Sequence, residues 1–288
     1  MRVCVFGGTG VIGRPLAQQL REAGHEALAL GRSADLRKAD LAGVLRSFRP
    51  EVVMHQATDL PRSLSDPLGA VRGIARTERL RREGTPRLVD AAVATGARRV
   101  VAQSIAFRYR PGPGPARTES DPLDPGAPGS GGIEALERSV LGSPLEAVVL
   151  RYGAFYGPGT FYARDGAFVG LIRRRLLPLV RGGDGQFGFV HVDDAARATV
   201  AALEGPTGVF NVVDDEPAPA SEWVPMVAEL FGAGPPPTVP RALLGAGPLR
   251  ELRYLLADQP AVTNRRARTE LGWAPERPWR AGLRMELA

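Results

Sequence analysis

The chain has 288 residues, 44% of them hydrophobic and 24% charged, a balance that suits one large globular domain or one domain with a smaller lobe. No apolar run approaches membrane-spanning length and the chain starts on a core strand, so neither a membrane segment nor a signal peptide is expected. Its net charge of +6 and pI near 10.2 come from arginines spread over helix faces, with no nucleic-acid motif or stacking platform beside them, and the single cysteine, Cys4, excludes an intrachain disulfide and fits a cytoplasmic protein without a nucleic-acid partner.

Arg2–Phe6 reads as a short apolar strand that runs into Gly7-Gly8-Thr9-Gly10-Val11-Ile12-Gly13. Glycine lets a backbone turn tightly and approach a pyrophosphate, because no Cβ intervenes. The spacing of Ile12, Leu16 and Leu20 predicts a helix from Val11 to about Ala23 with one apolar face. Its free N–H groups and positive dipole end would point at the anion. Strand, glycine turn and amphipathic helix together predict a dinucleotide site.

Further apolar runs follow at Glu26–Leu30, Glu51–Met54, Arg98–Gln103 and Leu145–Leu150, with helical stretches between them, the clearest at Thr85–Thr95 and Ile133–Leu141. The alternation predicts an α/β, Rossmann-type doubly wound parallel sheet over residues 1–155. Pro111 to Gly132 is too rich in proline and glycine for regular structure and reads as a lid, a binding loop or a partly disordered segment. From residue 156 onward, helices such as Gly166–Leu177 and Ser221–Phe231 are broken by proline-rich joints, and 156–288 reads as a smaller substrate lobe interleaved with the core.

Several segments resemble the NAD(P)-dependent epimerase/dehydratase group, an extended or atypical branch of the short-chain dehydrogenase/reductase superfamily. They are the glycine fingerprint, Pro50 to Ala57, Gly84 to Ala92, Ser104 to Tyr109, Leu150-Arg151-Tyr152 with Tyr156-Gly157-Pro158-Gly159, Phe189 to Ala196, and Leu271-Gly272-Trp273-Ala274-Pro275. The resemblance covers nearly the whole chain in order. It implies that Gly7, Gly10, Val11 and Ile12 touch the pyrophosphate, that Asp35-Leu36 meets the adenine, and that Gln56, Ala57 and Thr58 run under the nicotinamide ribose. Tyr152 to Phe155 would border the nicotinamide ring. Where the NAD pattern ends its second strand on an acid, this chain has Gly31 and then Arg32. A guanidinium suits a 2′-phosphate, so NADP(H) is favoured over NAD(H).

The family transfers its proton with a Tyr-x-x-x-Lys pair. Counting back from Glu137, which resembles the family's helix glutamate, those positions hold Gly129 and Ile133, and Lys38 is the only lysine in the chain. An unassisted tyrosine near pKa 10 costs ~4 kcal/mol to ionise at pH 7. The remaining candidates for the chemistry are Ser104, which serves only if its strand end bulges and is otherwise structural, and Tyr109, which either donates a proton or packs on the proline-rich loop. Tyr156, Phe161, Tyr162 and Asp165 are candidate substrate contacts, with Asp165 also a simple N-cap and Tyr156 a turn stabiliser. His191 reads as a strand histidine followed by an aspartate that caps the next helix. His25 and His55 are too scattered to complete a ligand set, so no metal is expected. The family's diphosphate-gripping arginine is replaced near Phe187-Gly188, which predicts an aromatic pocket wall and a smaller or more apolar substrate. The expected activity is an NADP(H)-dependent oxidoreductase or epimerase acting on a small carbonyl or alcohol through an atypical proton donor. A non-redox lyase, isomerase or cyclase and an NADP(H)-sensing regulator are the alternatives. A homodimer is left open.

Overall fold

The computed structural model describes residues 1–60, 67–127, 129–245 and 248–288. The first half alternates strand and helix: β1 (Arg2–Phe6), α1 (Gly13–Glu22), β2 (Glu26–Leu30), α2 (Leu41–Phe48), β3 (Val52–His55), α3 (Pro67–Arg79), α4 (Thr85–Ala94), β4 (Arg99–Ile105), α5 (Ser130–Leu141) and β5 (Glu146–Tyr152). The second half is more broken: β6 (Ala154–Tyr156), α6 (Ala167–Arg173), β7 (Leu179–Arg181), β8 (Gln186–Phe187), β9 (Phe189–His191), α7 (Val192–Ala201), β10 (Gly208–Val212), β11 (Ala218–Pro219), α8 (Ala220–Leu230), β12 (Thr238–Pro240), α9 (Pro248–Arg253), α10 (Arg265–Glu270) and α11 (Trp279–Leu287).

Six strands form one parallel sheet in the order β10-β5-β4-β3-β1-β2. The chain moves outward from β1 to β2, then returns to β3 on the other side of β1. Ligands of open α/β sheets bind at such a reversal, beyond the carboxyl ends of the strands. The inner strands are apolar on both faces because helices cover both. Leu16 and Leu20 of α1 pack with Ala195 and Ala198 of α7 on one side of Val3, Val5 and Met54. On the other side Leu41 and Leu45 of α2 and Leu88 of α4 enclose Cys4, Phe6 and Val53. Leu136 and Val140 of α5 continue that layer over Val100, Ala102 and Val149.

The five strand segments read from sequence fall within one or two residues of β1 to β5. Sequence patterning missed β10, whose Phe210 and Val212 complete the core at the edge of the sheet. The stretch after residue 155 therefore returns to the main sheet, while Tyr162, Phe187, Phe189, Trp223 and Trp279 build a second core beside it.

The proline-rich stretch differs from expectation at its C-terminal end. Helix α5 starts at Ser130, so Gly131 and Gly132 are helical. A Cβ at Gly132 would lie 2.8 Å from Glu78 Cα, so this helix start uses glycine to approach α3. The preceding loop is pinned to the body: Asp124 N–H donates to the Arg108 carbonyl at 2.6 Å, and Arg117 exchanges backbone bonds with Ala261 and Thr263 at 2.7 and 3.0 Å. It does not hang over the site as a lid. Helix α6 ends at Arg173, short of Leu177, because the chain turns through a left-handed Arg175 at φ 59°.

Candidate active site

At the reversal of the sheet lies a cleft of 1630 Å³, walled by the glycine turn, the ends of β2 to β5 and the aromatic second core. Its first wall is built for an anion. Gly7 has φ 87°, and a Cβ there would stand 2.5 Å from the Gln56 carbonyl; one on Gly13 would fall 2.1 Å from the Gly7 oxygen. The turn is tied down by Gly7 and Gly8 N–H groups donating to the Leu30 carbonyl at 2.9 and 2.8 Å. Helix α1 has no side-chain cap and no acid in its first turn, which leaves its amides and positive end for a ligand phosphate. The helix starts at Gly13, two residues later than the apolar spacing suggested, and Gly10, Val11 and Ile12 form the cleft wall instead. These features fit a dinucleotide pyrophosphate.

The next wall lies at the end of β2. Gly31, Arg32, Asp35, Leu36 and Arg37 line it. Arg32 is exposed. The Asp35 carboxylate is already engaged by Arg37 at 2.8 Å, and that bond holds its pKa down at about 2. Arg37 also reaches Asp59 at 3.2 Å.

At the far end, Gln56, Ala57, Thr58, Tyr152 and Phe155 line the cleft. Tyr152 is fixed by a 2.6 Å bond with Thr199, and burial raises its pKa. Beneath them, Ala57 N–H donates to His55 Nδ1 at 3.3 Å, which leaves Nε2–H to meet Thr85 Oγ1 at 3.0 Å. Burial, with the nearby Arg81 charge, pushes the His55 pKa down to about 3, so the ring is a neutral strut. Gln56 Oε1 and Gln103 Oε1 are buried at the cleft without a partner among the described residues, an arrangement that suits groups donated by a ligand. Gly129 and Ile133 line the same region.

Ser104 and Tyr109, the candidate proton-handling residues, do not line the cleft. Both are fully buried in a polar network behind it. Ser104 Oγ donates to Glu137 Oε1 at 2.6 Å, and Arg151 clamps the same carboxylate through Nε at 2.9 Å and a terminal nitrogen at 2.7 Å. The other terminal nitrogen of Arg151 donates to the Tyr109 hydroxyl at 2.9 Å, which donates to Asn211 Oδ1 at 2.7 Å. Strand β4 has no bulge that would turn Ser104 outward: its register with β5 runs unbroken from Arg99 to Ile105. The two residues are therefore structural here, joining β4, β5, α5 and β10.

Phe161 and Tyr162 do line the cleft, together with Phe168 and Phe187. Tyr162 stacks on Phe168 with centroids 4.8 Å apart, and Trp223 meets it edge-on at 5.6 Å. Burial raises the Tyr162 pKa. Tyr156 instead points into the second core and donates to the Arg277 carbonyl at 2.6 Å. Asp165 is exposed, and α6 begins after Gly166 with no side-chain cap, so Asp165 is neither N-cap nor cleft residue. His191 caps α7 itself, its Nδ1 accepting from Asp193 N–H at 3.1 Å. The buried Asp194 carboxylate accepts from Glu276 and Arg277 N–H at 3.1 and 3.0 Å. Among the described residues no cluster of three His, Cys, Asp or Glu side chains is placed to hold a metal, and no helix is long and apolar enough to cross a membrane.

Sequence reasoning missed Arg81, Gln103, Arg108 and Glu251, all of which line the cleft. In the sequence Arg81 is one of several arginines of a basic helix, and only its apolar neighbour Leu80 and the glycine at 84 hint that this turn faces inward.

The model of the NAD dependent epimerase/dehydratase family matches residues 3–212. The chain is 46% identical to the 3-diazoavenalumate denitrifying reductase of a Streptomyces species, over 99% of this chain and 100% of that protein. It is 29% identical to the UDP-glucose 4-epimerase of Mycolicibacterium smegmatis, over 96% of this chain and 94% of that one. Among solved structures, the UDP-glucose 4-epimerase of Thermus thermophilus in complex with NAD superposes with a TM-score of 0.77 at 25% identity, over 100% of this chain and 98% of that one.

Proposed function

The chain belongs to the NAD dependent epimerase/dehydratase family and is an NAD(P)-dependent oxidoreductase/epimerase, and on that footing we propose that it is a reductase that replaces the diazo nitrogen of an arene with hydrogen. Full-length similarity to a diazo-removing reductase carries this reading. The cleft supports it chemically. A reduced carbonyl leaves an alkoxide that must take a proton, whereas an arenediazonium that accepts hydride needs none. In that reaction a C–H bond forms, the C–N bond breaks with loss of dinitrogen, and the reduced cofactor leaves oxidised.

The nicotinamide dinucleotide, when bound, supplies the hydride; every other task falls to the protein. Gly7 to Gly13 would hold the pyrophosphate, and Gln56 to Thr58 with Tyr152 and Phe155 would border the nicotinamide half. Phe161, Tyr162, Phe168 and Phe187 offer a flat aromatic wall for an arene. The positions matched to the proton-transfer pair are Gly129 and Ile133, and the hydroxyls of Tyr152 and Tyr162 are weaker acids than a free phenol. A site that delivers hydride alone has no use for a stronger acid.

The test is an anaerobic reaction of the protein with an ortho-hydroxyarenediazonium carboxylate and NADPH deuterated at C4. The expected result is dinitrogen release matched to NADPH consumed, with deuterium at the ring carbon that bore nitrogen. Turnover of ketones in its place, or an arene without deuterium, would overturn the reading.

NADPH is the proposed reductant. Arg32 stands exposed at the end of β2 beside Gly31, where a guanidinium can fork onto a 2′-phosphate. Arg32→Ala is expected to raise the KM for NADPH about tenfold, the scale of one charge-assisted contact, and to change that for NADH less than about twofold by the same reasoning. Equal effects on both coenzymes would remove Arg32 from the selectivity.

A further inference from the structure

The helix between β3 and β4 changes pitch at Leu80–Gly84, where one turn of π-helix separates α3 from α4. Such turns are rare and recur at functional sites, because the wider turn re-aims a side chain. Here it carries Arg81, which is only 6% exposed and lines the cleft. The carboxylates around it are already committed: Glu78 to Arg82 at 2.8 Å, Glu137 to Arg151 at 2.7 Å and Glu251 to Arg108 at 2.6 Å. Among the described residues no acid forms an ion pair with Arg81.

Arg108 stands on the same cleft. One terminal nitrogen donates to Glu251 and the other to the Phe107 carbonyl at 2.9 Å, while its Nε is buried without a partner. Two buried guanidinium groups thus stand at this end of the cleft, and Glu251 forms its ion pair with Arg108. Burial, with the repulsion of Arg108, lowers the Arg81 pKa to about 10 against the pull of Glu137 and Glu78. A buried cation without a partner is costly, and an anionic ligand relieves that cost. The glycine turn and α1 already provide for the dinucleotide phosphates at the other end of the site. The fork of a guanidinium fits a carboxylate in two parallel bonds.

We propose that Arg81, with Arg108 beside it, binds a carboxylate of the substrate and so orients the arene along the aromatic wall toward the nicotinamide end of the cleft. This rests on the arene reading above and deepens it: the substrate class becomes an aromatic carboxylic acid. The two ideas are separable, because a carboxylate can be held whether or not nitrogen is ever lost.

The experiment is calorimetric titration of the protein saturated with NADP+, using 4-hydroxycinnamate, an arene carboxylate with no diazo group, and its neutral amide. Wild type is expected to bind the acid at least tenfold more tightly than the amide. Arg81→Gln is expected to erase that preference while its NADP+ affinity stays within about twofold of wild type. Arg81→Lys is expected to restore part of it, since a point charge replaces a fork. Equal binding of acid and amide by wild type overturns the proposal, and so does an Arg81→Gln variant that keeps the preference or loses NADP+ affinity instead. A diazonium turnover that fails while the acid preference holds would count against the proposed reaction alone.

Discussion

Glu137→Ala is expected to lower the unfolding free energy by about 3–5 kcal/mol, the scale of a buried ion pair that loses one partner. The carboxylate holds Arg151 through two nitrogens and accepts from Ser104, all within a buried layer between β4, β5 and α5. Without it the Arg151 guanidinium stays buried with, among the described residues, only the Tyr109 hydroxyl and the Glu119 carbonyl to answer it. Urea unfolding monitored by tryptophan fluorescence measures the change as a fall in midpoint at constant slope. Ser104→Ala and Tyr109→Phe each remove one neutral partner and are expected to cost about 1–3 kcal/mol, with kcat within about twofold of wild type because neither reaches the cleft. A collapse of kcat in either variant at unchanged stability would return these residues to the chemistry. A shift below about 1 kcal/mol for Glu137→Ala would mean the network is wetter than its burial indicates.

Gly13→Ala is expected to weaken NADPH binding by roughly 100-fold, about 2.7 kcal/mol. The added methyl would sit 2.1 Å from the Gly7 carbonyl oxygen and 2.6 Å from Gly8 Cα. Neither atom belongs to a flexible side chain, so the turn itself must move. Gly7 cannot yield easily, since its own surroundings press on the Gln56 carbonyl and its amide is bonded to Leu30. The sheet beneath, built from β1, β3 and β4, does not depend on the turn, so far-UV circular dichroism is expected to be unchanged. Fluorescence quenching by NADPH gives the affinity. Wild-type affinity in Gly13→Ala would show that the turn is not the phosphate cradle.

The sheet was legible because parallel strands buried on both sides must be apolar throughout, and the runs at Arg2–Phe6, Arg98–Gln103 and Leu145–Leu150 have no alternative use. Strand β10 escaped notice because it sits at the sheet edge, far along the chain, and its sequence Gly208-Val209-Phe210-Asn211-Val212 carries a polar residue inward. Asn211 is there for the Tyr109 hydroxyl, a partner 102 residues away. No local pattern encodes such a bond. The same holds for Asp165 and His191: a cap is decided by where the helix starts, and α6 and α7 start where packing places them.

By itself the sequence determined the glycine turn, the alternation of strand and helix, and a lysine count of one, Lys38. Each of these is local or compositional, set by backbone sterics, apolar periodicity or a simple count. The tertiary structure alone decided which polar side chains face the cleft. It drew Ser104 and Tyr109 into a buried network, turned Tyr156 into the second core and brought Arg81 and Arg108 to one end of the site. Inward or outward aim depends on which surfaces meet across the chain, and a π-turn or an unbroken strand register fixes it only once those surfaces have packed.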